Sequence, residues 1–333
     1  MLRQLTIASL CMAALAASAI DISEINIRDP FVYANPADST YYLYRSKSPA
    51  WNIGAERGGV QVFKSKDLKT WSEPVQVLEV PADNWATGTI WAPEMHPIAG
   101  RYYMFATVND TIQWKKPAPG NHNYTQRGTQ IFVADSPEGP FTAFDDKLPA
   151  TPMGAMCLDG TYFSDRGRHY MVYCHEWVEL IDGTVELLEL SPDMRPCSTP
   201  TRLFCGSAAK WSTGGGNFGG EKTYVTDGVF LYRSPSSGNL YMIWSSFHNG
   251  SYAIGVARSK TGHITGPWIQ QNEPMMNRDG GHGMIFTGFD GQPRLILHGP
   301  NSPEGAERAR IFTISDNGET LVLTGETTGH PAK

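Results

Sequence analysis

Hydrophobic positions along this chain come in short aromatic and β-branched runs cut by polar turns, and the pattern recurs. Arg28-Asp29-Pro30-Phe31-Val32 leads through the turn Asn35-Pro36-Ala37-Asp38 into Tyr41-Tyr42-Leu43-Tyr44. Trp91-Ala92-Pro93-Glu94 leads through Ala99-Gly100 into Tyr102-Tyr103-Met104-Phe105. Leu158-Asp159-Gly160, Thr226-Asp227-Gly228 and Gly281-His282-Gly283 open three more such units. Apolar runs bounded by Gly, Pro, Asn and Asp predict antiparallel hairpins. A second pattern follows each hairpin: Val60-Gln61-Val62-Phe63, Ile131-Phe132-Val133, Val185-Glu186-Leu187-Leu188, Ile254-Gly255-Val256 and Ile311-Phe312-Thr313-Ile314. The units recur every 55 to 70 residues or so, near the period of a four-stranded blade. The fold expected is all-β, a five-bladed β-propeller of four-stranded antiparallel blades around a central channel.

Composition agrees. The chain has 333 residues, 41% of them hydrophobic, with 34 Gly and 23 Pro, as suits a turn-rich β-protein. The formal net charge of -6 and the lack of a Lys/Arg run argue against a nucleic-acid partner. Residues 1–19 read as a signal peptide: Arg3, an apolar stretch from Leu5 to Leu15, then Ala17-Ser18-Ala19. That stretch is too short for a membrane span. Residues 20–333 are then one propeller domain, secreted (periplasmic or cell-surface in a bacterium) and monomeric by default. Of the cysteines, Cys157, Cys174, Cys197 and Cys205 follow the leader. Cys197 with Cys205, and Cys157 facing Cys174 across the third hairpin, are disulfide candidates, although three connectivities are open. Asn109, Asn123 and Asn249 head Asn-x-Ser/Thr sequons. The glycine-rich stretch 212–220 lacks the Lys-Ser/Thr ending of a phosphate loop and reads as a mobile rim loop.

Inner strands of a propeller line the channel, so their first residues converge at its mouth. Those residues are Asp29, Trp91 with Glu94, Asp159, Asp227 and His282, and three blades thus begin with Asp at matching places. Each Asp alone is an ordinary turn former. Together, in a partly desolvated funnel, they would be driven to different pKa values, giving a proton donor and a proton acceptor at one pH. Glycoside hydrolysis needs that pairing. Trp91 and Trp51 are candidate faces for sugar stacking.

The ordered set Arg28-Asp29-Pro30-Phe31, Trp91-Ala92-Pro93-Glu94, Leu158-Asp159-Gly160, Thr226-Asp227-Gly228 and Gly281-His282-Gly283-Met284 resembles glycoside hydrolase family 43. The resemblance implies an inverting hydrolase of oligo- or polysaccharides. Asp29 would be the general base, Asp159 the carboxylate that tunes the acid, and the fourth blade the source of the acid. There Asp227-Gly228-Val229 stands where the family has Glu-Gly-Pro or Glu-Ala-Pro. Asp227 is therefore the first candidate donor, with Glu221 second and Glu176 third. Trp91, Glu94, Trp51 and Glu176 would contact substrate. His282 resembles the family's channel histidine, which helps hold a calcium ion or water, although the chemistry itself requires no cofactor. Within the family the reading is an exo-acting α-L-arabinofuranosidase. The alternatives are a β-galactofuranosidase, a β-xylosidase, a galactosidase, or a sugar-binding propeller with no competent acid.

Overall fold

The computed structural model describes residues 19–47, 57–113, 122–144 and 147–328. The leader up to residue 18 and Trp51 lie outside these described residues. Five antiparallel sheets follow one another along the chain, and their innermost strands adjoin in a ring. Blade one holds Phe31–Asn35, Thr40–Ser46, Gly59–Ser65 and Val75–Glu79, with the short strands Ile20–Asp21 and Thr70–Trp71 on its outer side. Blade two is Ile90–Ile98, Arg101–Gln113, Thr125–Ala134 and Thr142–Ala143. Blade three is Cys157–Asp165, Arg168–His175, Thr184–Leu190 and Thr201–Cys205. Blade four is Asp227–Arg233, Leu240–His248, Ser251–Ser259 and Trp268–Gln270, and blade five is Gly281–Thr287, Pro293–Gly299, Arg308–Asp316 and Leu321–Glu326. The protein is an all-β five-bladed propeller.

Strand alternation sends successive side chains to opposite faces of each blade, so a largely apolar strand feeds two interfaces at once. Separate clusters fill those interfaces. Phe105, Ile131, Met171 and Tyr173 pack between blades two and three. Val172, Val185, Trp211 and Trp244 pack between blades three and four, and Ile243, Val256, Leu295 and Leu297 between blades four and five. Tyr44, Phe63, Trp71 and Met95 belong to the cluster around blade one.

The same alternation overturns the cysteine pairing expected across the third hairpin. The register sets Cys157 opposite His175 and Cys174 opposite Leu158, one step out of line. Cys157 therefore joins the cluster shared with blade two and Cys174 the one shared with blade four. Cys197 and Cys205 are unpaired as well. Two further expectations change. The glycine-rich stretch is a small hairpin, Gly216–Phe218 paired with Glu221–Thr223, turning on Gly219 and Gly220 at positive φ. Its base is tied to blade four by Thr213 N–H donating to the Phe247 carbonyl at 2.9 Å. Asn109 is fully buried, its amide donating to the Thr89 carbonyl, so that sequon offers no accessible side chain.

Four of the five inner strands are irregular at their first turn, and this shapes the channel mouth. The pairing register breaks between Trp91 and Glu94, Leu158 and Thr161, Asp227 and Phe230, and Gly281 and Met284. The first residue inside each break has a left-handed backbone: Ala92 (φ 44°), Asp159 (φ 55°), Gly228 (φ 50°) and His282 (φ 45°), with Asp29 (φ 48°) just ahead of Phe31 in blade one. Non-glycine residues rarely adopt this conformation, and β-bulges of this kind re-aim a side chain. Asp227 therefore stands one place before the equivalent of Asp29 and Asp159, and the expectation of three Asp at matching positions is corrected: Gly228 is the fourth-blade counterpart.

Candidate active site

The bulged residues of blades one, three and five bring side chains to the axis, while blades two and four contribute Ala92 and Gly228. A Cβ on Gly228 would lie 2.7 Å from the Cα and Cγ of His282, so the bare glycine is what lets the imidazole occupy the centre. Gly281 has the same role toward its neighbour, since a Cβ there would overlap the ring of Tyr252. His282 is 7% exposed, and its backbone N–H donates to Ser245 Oγ at 2.8 Å. Its Nδ1 faces three carboxylates: Asp29 Oδ1 at 3.2 Å, Asp159 Oδ2 at 3.6 Å and Asp227 Oδ1 at 3.7 Å. The structure thus gathers Asp29, Asp159, Asp227 and His282 around one nitrogen.

The three carboxylates differ in setting. Burial alone would raise the Asp29 carboxyl. The charge of His282, joined by that of the Arg28 guanidinium, outweighs burial and holds it well below the ordinary carboxylate range. Asp29 N–H donates to His298 Nδ1 at 3.2 Å, which fixes the strained turn against blade five. Asp159 goes the other way. Burial, then the charge of Asp227, the hydrogen bond shared with it, and the charge of Asp29 push its pKa well above normal, against the opposing N–H of Gly228 at 2.9 Å. Its own N–H is held by Thr107 Oγ1 of blade two at 2.9 Å. Asp227 has the most open side chain, 29% exposed against 18% for Asp29 and 5% for Asp159. Its Oδ2 accepts from the hydroxyl of Tyr252. Burial and the Asp227 charge keep that phenol far above its usual pKa, so it stays a donor.

The remaining sequence candidates fall elsewhere. Glu221 is exposed on the small hairpin, and no hydrogen bond or ion pair among the described residues links it to the cluster. Glu94 is buried, with Oε2 3.1 Å from His96 Nε2. Glu176 caps the short helix Trp177–Leu180 and pairs with Arg127 Nη1 at 3.0 Å. Trp91 lies under that guanidinium, 4.5 Å from its ring centre. One face of its ring is therefore already covered. Tyr252, Thr107 and Arg127 were missed: each comes from a second or third strand, and no local motif marks it. Arg28 stands in the first-blade motif Arg28-Asp29-Pro30-Phe31, whereas the only local mark of His298 is the apolar run Leu295-Ile296-Leu297 before it.

Asp159, Asp227 and His282 offer ligand atoms within 4.8 Å of one another and could hold a metal ion. Two oxygens and a nitrogen fall short of the six to eight oxygens that Ca²⁺ takes, so water would complete the shell.

Carboxylates of unequal proton affinity at the mouth of a closed propeller channel define a glycoside hydrolase site. The description "Glycosyl hydrolases family 43" matches residues 21–316, and the chain belongs to that family, which works with inversion. The chain is 36% identical to an endo-arabinase from Bacteroides thetaiotaomicron of known structure, covering 90% of this chain and 99% of that one with a TM-score of 0.77. It is 22% identical to an extracellular exo-α-(1→5)-L-arabinofuranosidase of Cellvibrio japonicus over 92% of this chain and 89% of the relative. It is 23% identical to a β-D-galactofuranosidase of Aspergillus niger over 81% and 74%. The protein is a glycoside hydrolase, and its substrate is carbohydrate.

Proposed function

We propose that this hydrolase is secreted and cleaves α-L-arabinofuranosyl linkages, with Asp29 as base and Asp227 as acid. The observation that carries the roles is the cluster around His282, where one carboxyl is held low and another high. Asp29, kept ionised, removes a proton from water as its oxygen bonds to the anomeric carbon. The bond from that carbon to the leaving oxygen breaks, and Asp227 delivers the proton that oxygen needs. Asp159, whose carboxyl is pushed up by burial and then by the Asp227 charge, hydrogen-bonds to Asp227, the open member of the pair. Solvent then removes the proton from Asp29 and restores it to the Asp159–Asp227 pair. Asp29 Oδ1 at 3.2 Å and Asp227 Oδ1 at 3.7 Å from the same nitrogen can be no farther apart than the sum of those distances. These two oxygens therefore stand at or below the lower end of the roughly 6.5–9.5 Å typical of inverting pairs.

The sugar assignment draws on the two arabinose-directed relatives, one named for chain-end release and the other for internal cleavage. Chain-end release is the first reading. Internal cleavage is the second, favoured by the 36% identity to the endo-arabinase. Incubation with linear (1→5)-arabinan and with 4-nitrophenyl furanosides tests both. Free arabinose as the first product supports chain-end release, whereas a ladder of oligosaccharides supports internal cleavage. Asp29→Asn and Asp227→Asn should each lower kcat by 10²-fold or more, as general acid–base groups do. Full turnover in Asp227→Asn, with loss in Glu221→Gln, would move the acid to the hairpin.

A further inference from the structure

Blades two and three carry a second feature that the hydrolytic roles leave unused. Trp91 holds in blade two the place that Asp227 holds in blade four, the last paired residue before the bulge. It is therefore a mouth residue. It pairs across the strands with Thr107, the residue whose hydroxyl holds the Asp159 N–H. Arg127 stacks on its ring, and Glu176 holds Arg127 from blade three. The two charged residues are anchored on one segment, since Arg127 bridges to Met156 and Glu176 N–H donates to the Met156 carbonyl at 2.8 Å.

The pair is buried, 6% exposed at Arg127 and 8% at Glu176, and it is not fully satisfied. The Arg127 Nε is buried without a hydrogen-bond partner. An orphaned donor of that kind is costly, on the order of 1–3 kcal/mol. Burial raises the Glu176 carboxyl against the pull of Arg127, and the charge of Asp227 adds to the rise. A planar fork of donors next to a carboxylate acceptor, against an aromatic ring, matches two neighbouring hydroxyls on a sugar.

We propose that Arg127 and Glu176, braced on Trp91, form a clamp that reads adjacent hydroxyls and selects which sugar lies over the carboxylates. The ligand class is a neutral glycosyl unit with a vicinal diol. The clamp rests on the glycosidase reading, yet its failure is separable from failure of the arabinofuranosyl assignment.

The test compares wild type with Arg127→Met, Arg127→Lys, Glu176→Gln and the double variant Arg127→Met/Glu176→Leu, which leaves no orphan charge. The substrates are 4-nitrophenyl α-L-arabinofuranoside, β-D-galactofuranoside and β-D-xylopyranoside. For the best substrate Arg127→Met should lower kcat/KM by about 10- to 100-fold, mainly through KM, as loss of charged hydrogen bonds does. The double variant should keep its melting transition and still show the altered ranking of sugars. A uniform loss on all three substrates with unchanged ranking, or full function in Arg127→Lys, would mean a structural ion pair and overturn the clamp. If wild type hydrolyses none of the three and leaves linear (1→5)-arabinan intact, the arabinofuranosyl assignment fails. The clamp is then read by calorimetry with free L-arabinose, D-galactose and D-xylose. Selective binding that Arg127→Met abolishes upholds it, and binding without selectivity, or none, overturns it.

Discussion

Asp159 shows most plainly how position sets chemistry at the scale of one residue. It is a carboxyl at a bulge, sealed from water, with another carboxylate as its hydrogen-bond partner. Its folded pKa is raised, so the folded state binds its proton more tightly than the unfolded chain does. The stability this gives is fully present below the unfolded value of about 3.9 and is lost as pH rises through the folded pKa. Asp159→Asn supplies a permanently neutral isostere that still accepts from Gly228 N–H and donates to Asp227. The variant should therefore melt higher than wild type. The gap should widen by about 1.4 kcal/mol per pH unit above the unfolded pKa until the folded pKa is reached. Thermal unfolding of both proteins from pH 4 to pH 9 checks this, and a constant gap would show that Asp159 is ionised in the fold. Activity should fall in the same variant, because the proton reserve beside Asp227 is gone.

The strand with its bulge is the element that turns a repeat into a site. Gly228 marks the place where two blades compete for the axis, and the glycine yields to His282. Gly228→Ala would force a Cβ against the imidazole and strain a left-handed residue at φ 50°. The expected loss is about 1–3 kcal/mol from overpacking, with turnover lost as His282 is displaced from the three carboxylates. Differential scanning calorimetry together with kcat measures both, and an alanine that left each unchanged would refute the packing argument. This element also marks the limit of what the sequence reveals. Hairpins, blades and the converging Asp29, Asp159 and His282 were legible because strands repeat with period two between turn residues. The fourth-blade register was not, because Asp159-Gly160 and Asp227-Gly228 look alike in text while their bulges begin one residue apart. Tyr252 and Arg127 were invisible for a different reason. They reach the mouth from third strands, and only the pairing of distant segments puts them there. The cysteines misled because proximity in a hairpin says nothing about which face each side chain takes.

At the scale of the whole molecule the ring must close, and here the first and last blades are each built from their own end of the chain. Beside the apolar cluster that blades one and five share runs a polar seam. Asn26 bridges Arg308, and Ile27 N–H donates to the Glu307 carbonyl. Arg28 Nη1 meets Glu307 Oε1 at 2.7 Å, and Arg28 Nη2 donates to Asn301 Oδ1 at 2.7 Å. Glu307 is fully buried, and Arg28 is the residue just before the base Asp29, so the seam that closes the ring also positions the site. Removing one partner of a buried pair leaves an uncompensated charge and costs about 3–5 kcal/mol, whereas removing both can be nearly neutral. Glu307→Leu should therefore be strongly destabilising, and Arg28→Met/Glu307→Leu should recover much of the loss. The two variants differ in what they do to Asp29. Without Arg28 its carboxyl loses one of the charges that hold it low, so the acid limb of the activity profile should move toward higher pH in the double variant even where stability is restored. Urea unfolding followed by tryptophan fluorescence gives the stabilities, and kcat/KM against pH gives the shift. Additive destabilisation in the double variant would mean that Arg28 and Glu307 act separately. An unmoved acid limb would mean that the seam closes the ring without tuning the base.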